Sequence, residues 1–241
     1  MKKKTLSLLL ILALLLCGCS NEKEAAGNLT PATQPTATEP ASTEPATTEP
    51  APTDAPVSLG ILEGGTYTNA YVGFGFTLDE NWTIYPADQL QELPEDVSAM
   101  FEGTEFESYD VATIMDVLAE NVTDLTTMNV LYQKLTMQER LAYLAMDEKE
   151  ILDTMVNEYY DSLVASYSNA GIIVDSMSTK TVTFLGQERT ALYTVASVQD
   201  VPYYILQLYD FHLGQYSITT TVGSYVEDKT ESLLELFYPV A

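Results

Sequence analysis

The stretch "GTYTNAYVGFGFTLDENWTIY", residues 65–85, gives the clearest indication of the fold, with six aromatic residues and three glycines. From residue 71 to residue 78, apolar side chains alternate with small or polar ones, which is the period of a β-strand. The glycine side of such a strand allows another backbone or a ring to approach closely. Asp79, Glu80 and Asn81 are typical of a tight turn, and Trp82 begins a second apolar run. We therefore predict that the two runs form the first hairpin of a sheet.

The next part of the chain alternates between helical and extended patterns. Pro94 is typical of the first turn of a helix, and we predict a short helix that begins there and reaches Phe101. Two apolar runs, 113–118 and 128–135, are typical of strands, and the polar residues 120–124 between them predict a loop.

A long helical pattern begins after Thr136, which forms a predicted capping box with Glu139. Asp147 marks a possible restart of the helix, and Gly171 is suited to its end. Apolar residues at three- and four-residue spacing predict a face that packs on a sheet. The residues of this predicted face are Leu141, Leu144, Leu152, Met155, Tyr159, Leu163 and Tyr167.

Four extended runs follow the helix, at residues 172–185, 190–198, 203–211 and 216–222, and a last helix is predicted over 228–237. Short polar turns separate the runs, as antiparallel hairpins require. These turns are residues 186–188, 199–200 and 213–214. The order of elements predicts an α+β fold, with a mainly antiparallel sheet and helices on both faces.

The aromatic stretch and this order of elements resemble PsbP-like domains, a superfamily that includes PsbP of photosystem II, a Ran-binding import factor and many bacterial lipoproteins. Asp79 and Asn81 stand where Pro and Gly are usual in bacterial members, and Asn also tolerates the left-handed turn. The resemblance covers residues 65–238 and implies an α/β/α sandwich with a binding or assembly role. The residues that match are Tyr67, Asn69, Tyr71, Phe74, Phe76 and Trp82.

The N-terminus has the pattern of an export signal, with three lysines at positions 2–4 and an apolar run over 6–16. The following Leu-Cys-Gly-Cys resembles the lipobox of bacterial lipoproteins, in which a small residue precedes the lipidated cysteine. Cys19 fits this role because Gly18 precedes it, whereas Leu16 precedes Cys17. We expect residues 1–19 to be a lipoprotein signal peptide with lipidated Cys19, which anchors the chain on the extracytoplasmic face of the cell membrane. An ordinary cleaved secretory signal is the alternative.

Residues 20–57 have the composition of a tether, rich in Thr, Ala, Pro and Glu, with seven of the eleven prolines. Such a segment has too few apolar side chains for a core, and its X-Pro pairs favour extended conformations. At about 3.1 Å per residue it would reach on the order of 100 Å. A proline-motif ligand is the alternative role. Residues 58–241 then have the length of one globular domain.

This domain is strongly acidic, with six Lys or Arg against 29 Asp or Glu, a formal net charge of −23. Such a field repels nucleic acid and anionic lipid headgroups and attracts cations and basic partners, so we expect no nucleic-acid binding. Both cysteines lie at or before position 19, which excludes disulfides and thiolate catalysis in the domain.

No catalytic motif accompanies the one histidine, His212, which is predicted to lie beside a turn. A zinc site is disfavoured without cysteine or a second histidine, and Gly73 and Gly75 lack the rest of a dinucleotide loop. We therefore predict no enzymatic activity and no cofactor.

Carboxylates form two local clusters, which leave two other functions open. Paired acids would suit a hydrolase of cell-wall or glycan polymers, although their separation in space is not readable from sequence. The first cluster is also a candidate calcium site, without the pattern of an EF-hand loop. The clusters are Glu102, Glu105, Glu107 and Asp110, and then Asp147, Glu148 and Glu150.

Tyrosines on the predicted meander form a possible binding surface for sugars or for a protein partner. Tyr203, Tyr204, Tyr209 and Tyr216 make up this surface, and packing within the sheet is the alternative role of these residues. The leading hypothesis is a non-catalytic binding or accessory module, with the lipid bilayer and an unidentified extracytoplasmic protein or ligand as its partners. A carboxylate-dependent hydrolase and a receptor for a cation or small ligand are the alternatives.

Overall fold

The computed structural model describes residues 58–90, 113–211 and 216–240. The strands are β1 (Ile61–Glu63), β2 (Thr66–Asn69), β3 (Phe74–Thr77), β4 (Trp82–Pro86), β5 (Thr113–Asn121), β6 (Thr126–Lys134), β7 (Ile172–Phe184), β8 (Gln187–Val198), β9 (Val201–Asp210), β10 (Tyr216–Tyr225) and β11 (Phe237–Pro239). The helices are α1 (Ala87–Leu90), α2 (Met137–Leu144), α3 (Glu148–Glu158), α4 (Tyr160–Asn169) and α5 (Thr230–Leu234). The predicted elements at 94–101 and 213–214, the first acidic cluster, His212 and residues 1–57 lie outside the described residues.

Two antiparallel sheets form the framework. The large sheet has the order β4-β5-β6-β10-β9-β8-β7, and the small sheet has the order β1-β2-β3-β11. All neighbouring strands in both sheets pair antiparallel. The predicted α+β class with a mainly antiparallel sheet is confirmed.

The face of the large sheet that is covered by the small sheet and α5 is called the front face. Phe74 and Phe76 of β3 and Leu233 of α5 belong to the same buried cluster as Val117 and Ile218 of the large sheet. Phe74, Phe184 and Phe237 contact one another edge to face, with ring centroids 5.4 to 5.6 Å apart. Each fully buried apolar side chain contributes about 1.5–3 kcal/mol, so this cluster binds the two sheets together.

The opposite face, called the back face, is covered by helices. Ile151 of α3 and Leu163 of α4 are buried in one cluster with Ile205 of β9. On the same back face, near the β4 edge of the sheet, Leu90 of α1 packs with Leu118 of β5. Helices therefore lie on both faces, as predicted, and the small sheet is an additional layer that the sequence analysis did not place.

Gly75 confirms the predicted close approach at the glycine side of the aromatic stretch. A Cβ atom at this position would lie 2.5 Å from the carbonyl oxygen of Tyr67 on β2 and 3.2 Å from the ring of Tyr238 on β11. Any side chain here would push the neighbouring strand away, because real Cβ atoms are not found this close to backbone atoms.

The prediction of a first hairpin within residues 65–85 is wrong in its pairing. The turn exists, because Trp82 N donates to the Asp79 carbonyl at 3.2 Å. However, β3 belongs to the small sheet and β4 pairs with β5 in the large sheet. The turn carries the chain from one layer to the other, which periodicity within a single strand does not reveal.

The long predicted helix is divided into three. The capping box of Thr136 with Glu139 is present, and Asp147 forms a second one with Glu150, which starts α3 as a separate helix. The first piece, α2, has no buried residue. Leu141 and Leu144 are exposed, so their predicted packing on the sheet is wrong. The second capping box starts a new helix at Asp147, and of the three pieces only α3 and α4 carry buried residues.

The last predicted helix is shorter than expected. It ends at Leu234, and Phe237 pairs with Phe76 as part of β11. Apolar residues of this segment belong to both α5 and β11, so the sequence pattern did not distinguish the helix from the strand that follows it.

Candidate functional site

The four tyrosines that were predicted to form one binding surface lie on opposite faces of the large sheet. Tyr203 and Tyr209 are buried in the back-face cluster. Tyr204 alternates with Tyr203 and therefore faces the front, and Tyr216 packs with Tyr132 in the front cluster, with ring centroids 6.3 Å apart. Tyr204 and Tyr216 are half-buried. The prediction of one exposed surface is corrected, because residues that alternate along a strand point to opposite sides.

Asp116 is the centre of a buried hydrogen-bond network between the two sheets. It lies at a β-bulge, since Met115 pairs with Leu131 while Val117 pairs with Val130. A bulge changes the direction of a side chain, and here the carboxylate meets the small sheet. It accepts hydrogen bonds from the Tyr67 hydroxyl at 2.6 Å and from Gly60 N at 2.9 and 3.0 Å.

Asn69 extends this network in two directions. Its Nδ2 donates to Asp116 at 2.7 Å and to the hydroxyl of Tyr132 at 2.6 Å. Its Oδ1 accepts from the backbone N–H groups of Tyr71 and Val72, which orders the turn before β3. The Tyr-x-Asn motif in the sequence therefore holds the small sheet on the large one. Sequence analysis singled out this motif but did not find Asp116, its acceptor.

The network also governs the ionisation of its tyrosines. Burial, followed by the charge of Asp116, raises the pKa of Tyr67 and of Tyr132 well above the ordinary value for tyrosine. Both hydroxyls therefore remain protonated and act as donors, which suits a structural role.

The second acidic cluster has structural partners. Asp147 and Glu150 form the capping box of α3. Glu148 accepts from Arg189 at 2.7 Å, and Arg189 also contacts Asp210 at 3.1 Å. Each acid in this cluster is thus occupied by a cap or an ion pair. Among residues 58–90, 113–211 and 216–240, no three His, Cys, Asp or Glu side chains are grouped so that they could hold a metal ion.

The two most buried carboxylates of the described residues do not converge. Asp116 contacts the small sheet on the front face. Glu120 follows Ala119, which faces the front cluster, so its side chain points to the back. A pair of acids flanking one substrate bond needs both groups on the same side of a cleft, and these two lie on opposite faces.

A polar row crosses the back face at the centre of the large sheet. Asn129 pairs with Thr221, and Thr221 pairs with Gln207. Gln207 Oε1 accepts from the hydroxyls of Tyr167 and Tyr209, each at 3.2 Å. The row is buried, yet neither side-chain amide atom of Asn129 has a hydrogen-bond partner in the structure of the described residues. Buried polar side chains without a hydrogen-bond partner are uncommon in native structures.

One end of the large sheet exposes a group of apolar side chains at its turns. This group, called the apolar rim, consists of Val122, Leu125, Val201, Pro202 and Val226. Val122 and Val226 expose 72% and 56% of their surface. The loops are tied together, because Tyr225 N donates to the Leu125 carbonyl and Val226 N donates to the Pro202 carbonyl, each at 2.9 Å.

Residues at the apolar rim combine exposed apolar side chains with left-handed backbone conformations. Leu125 has φ 55 and Val226 has φ 72, and the turn before Val201 has Gln199 and Asp200 at φ 50 and 65. Glu227 N donates to the Tyr225 carbonyl at 2.8 Å across Val226, the hydrogen bond of a strained γ-turn. Left-handed conformations cost roughly 1–2 kcal/mol for ordinary residues, and a β-branched residue is an outlier there. Gly or Asn at these positions would avoid most of this cost, and backbone strain of this kind is concentrated at functional sites.

Replacing Val226 by Gly is expected to stabilise the domain by about 1 kcal/mol, because glycine adopts the left-handed conformation without a steric penalty. The matched control is Val201→Gly, at an exposed valine of strand β9, where glycine should destabilise by about 0.5–1 kcal/mol. Urea unfolding of both variants measures the difference. Equal destabilisation by the two substitutions would show that Val226 is not strained.

Sequence reasoning missed the apolar rim, although a signal was present. The turn at residues 122–125 contains no glycine and ends in leucine, and Gln199-Asp200 replaces the usual Asn-Gly or Asp-Gly of a two-residue hairpin. Turns that lack these residues are candidates for strained, functional positions.

Comparison with solved structures finds several chains that are similar to this one. The solution structure of cyanobacterial PsbP (CyanoP) from Synechocystis sp. PCC 6803 is similar to this chain at 12% sequence identity and a TM-score of 0.40. The similarity covers 72% of this chain and 91% of that chain. No family model and no curated protein matches the sequence. In the part of the chain that the structure describes, no helix has the length and hydropathy needed to cross a membrane.

Proposed function

We propose that this chain is a membrane-anchored extracytoplasmic lipoprotein whose domain is a non-catalytic binding or accessory module. The anchor rests on the signal pattern and Cys19, and residues 20–57 form the tether. The apolar rim carries the binding part of the proposal, because it combines exposed apolar side chains with left-handed backbone at one end of the sheet.

The position of the apolar rim supports contact with a partner away from the tether. The described chain begins at Ser58, whose carbonyl accepts from the Tyr132 hydroxyl at 3.3 Å. Tyr132 lies six residues along β6 from its first residue, Thr126, which is next to the rim. At about 3.3 Å per strand residue, this separation is about 20 Å. The tether therefore joins the domain at a distance from the rim and leaves the rim accessible.

Charge indicates the kind of protein partner that the apolar rim would bind. Asp124, Asp200 and Glu227 lie in or beside the same loops, and Lys229 contacts Asp124 at 3.5 Å. Together with the net charge of the domain, these carboxylates favour a partner with an apolar patch bordered by Lys or Arg. Such charges would increase the association rate and the specificity more than the affinity.

A photo-crosslinking experiment in cells tests both parts of the proposal. A benzophenone amino acid at position 226 is expected to form an adduct with one protein, and the adduct should carry an alkyne fatty acid supplied in the medium. Cys19→Ala should abolish the fatty-acid label, because the acylated thiol is absent, whereas Cys17→Ala should retain it. Gel separation with click detection of the alkyne measures both results.

The control position for crosslinking is Thr181, which is exposed on β7 outside the apolar rim. Adducts of equal yield from both positions would contradict a specific role of the rim. Retention of the label in Cys19→Ala would contradict the anchor.

A receptor for a small polar ligand is the second candidate function, and Asn129 is the observation that favours it. Its buried amide offers two donors and an acceptor, and Thr127 on the same strand is also buried without a hydrogen-bond partner in the described structure. Within residues 58–90, 113–211 and 216–240, a carboxylate-dependent hydrolase has no comparable support, because Asp116 and Glu120 point to opposite faces.

A further inference from the structure

Helix α2 presents an unusually apolar surface to solvent. Met137, Leu141 and Leu144 expose 67%, 62% and 56% of their surface, and their spacing places them in one stripe along the helix. Ala142 and Ala145 beside them are also exposed. The helix is nevertheless well formed, because its capping box satisfies the N-terminal N–H groups. Local capping and the ring contact of Tyr143 with Phe211, at 4.7 Å, hold it in place.

Two of the few cationic residues of the domain lie near this stripe. Lys134 and Arg140, two of only six cationic residues after position 57, lie just before the helix and within it. The one acid of the helix, Glu139, is turned toward Thr136, with its Oε2 2.7 Å from the Thr136 N and Oγ1 atoms. The exposed surface of α2 is therefore apolar with two cationic residues near it, and the acids Asp147, Glu148 and Glu150 follow it in the chain. An apolar face with cations beside it is a feature of helices that lie in a membrane interface.

The path of the chain places this helix and the start of the described domain at the same end of the large sheet. Ser58, where the described domain begins, contacts Tyr132, and Tyr132 is five residues before Met137. A fully extended chain of five residues spans at most about 18 Å. The apolar stripe and the point of tether attachment therefore lie at the same end of the large sheet, whereas the apolar rim lies at the other end.

We propose that the stripe of Met137, Leu141 and Leu144 on α2 docks on the lipid bilayer to which the chain is anchored. This inference rests on the proposed function, because the anchor keeps the domain near the bilayer. The reach of on the order of 100 Å is an upper limit for the tether, so the domain can also meet the bilayer surface. A helix that would bind vesicles weakly on its own then acts at a high effective concentration. The contact would orient the apolar rim away from the membrane.

Vesicles with an artificial tether test this contact independently of lipidation. The chain from residue 19 onward, with Cys19→Ser and an N-terminal hexahistidine tag, is bound to phosphatidylcholine and phosphatidylglycerol vesicles that contain a nickel-chelating lipid. Leu141→Cys then provides the only thiol, since the rest of this chain has no cysteine. An NBD label at this position is expected to show a blue shift and protection from an aqueous quencher when vesicles are added.

Two comparisons make the test specific. A label on Val122→Cys, at the opposite end of the sheet, should stay accessible to the quencher. Met137→Gln and Leu144→Gln should each lower the ratio of protected to accessible label at position 141 about tenfold, which corresponds to about 1.4 kcal/mol. Both residues are exposed, so their substitution is expected to leave the fold intact.

Three results would overturn the inference. The first is a label at position 141 that stays accessible to the quencher when the protein is bound to vesicles. The second is protection of the label at position 122 instead of the label at position 141. The third is a blue shift at position 141 that grows with protein concentration in the absence of vesicles, which would assign the stripe to a second copy of the chain. None of these results affects the assignment of Cys19, which fails only if the fatty-acid label is absent from the wild-type chain or survives Cys19→Ala.

Discussion

Replacing Asp116 by Ala is expected to destabilise the domain by about 3–5 kcal/mol, because the substitution leaves several buried donors without an acceptor. These donors are Gly60 N, the Tyr67 hydroxyl and Asn69 Nδ2. Domains of this size have total stabilities of about 5–15 kcal/mol, so the loss is a large fraction of the total. Urea unfolding followed by the fluorescence of Trp82, the one tryptophan, measures it.

The matched control is Asp175→Ala. Asp175 also lies at a bulge of the large sheet, between Val174 and Ser176 of β7, but it is exposed. Its substitution should change the stability by no more than about 0.5 kcal/mol. If Asp116→Ala does not fold, Tyr67→Phe still tests the network, with an expected loss of about 1–2 kcal/mol. Equal effects of the two aspartate substitutions would contradict the central role of Asp116.

Alkaline pH is expected to unfold the domain steeply. Burial is the main cause that raises the pKa of Tyr67, Tyr132 and Tyr225 above the ordinary value of 10. Between pH 10 and the raised values, these tyrosines lose a proton only in the unfolded chain, so the unfolded state binds fewer protons and the stability falls. Each of these tyrosines lowers the free energy of unfolding by about 1.4 kcal/mol per pH unit in this range, and the three together lower it by about 4 kcal/mol per unit. Below pH 10 their contribution is fully present.

Tyr225→Phe isolates one of the three contributions. Tyr225 stacks on Tyr203, with ring centroids 4.2 Å apart, and phenylalanine retains this stacking. The stability at pH 7 should change by less than about 1 kcal/mol, while the slope above pH 10 should fall by about one third. Urea midpoints between pH 9 and pH 12, together with tyrosinate absorbance, provide the measurement. Native tyrosinate absorbance from all sixteen tyrosines near pH 10 would contradict the raised pKa values.

The features that sequence analysis predicted correctly depend on residues that are close in the chain. The capping box of Thr136 and the restart at Asp147 each involve residues three positions apart. The hairpins of β7, β8 and β9 follow from apolar runs separated by short turns, and the strand pairing agrees with them. Such local hydrogen bonds and turn preferences are encoded within a few residues.

The predictions that were wrong concern which strand pairs with which, and which helix packs on the sheet. The aromatic stretch contains three strands, β2, β3 and the start of β4, and the predicted hairpin joined the runs of β3 and β4. In the structure β3 pairs instead with β2 and with β11 from the C-terminal end. The apolar stripe over the long helical pattern predicted one buried face, but α2 turns its leucines outward. Periodicity identifies an apolar face without specifying what covers it.

The sequence by itself determined the α+β class, the capping box of α2, the restart at Asp147, the long strands of the large sheet, the acidity of the domain and its lack of cysteine after position 19. Only the tertiary structure decided that Asp116 joins the two sheets, that the candidate tyrosines divide between two faces, and that the apolar rim and the stripe of α2 lie at opposite ends. The physical reason is distance along the chain. Tyr67 and Asp116 are 49 residues apart, and Leu125 and Tyr225 meet across 100 positions, so neither contact leaves a local pattern.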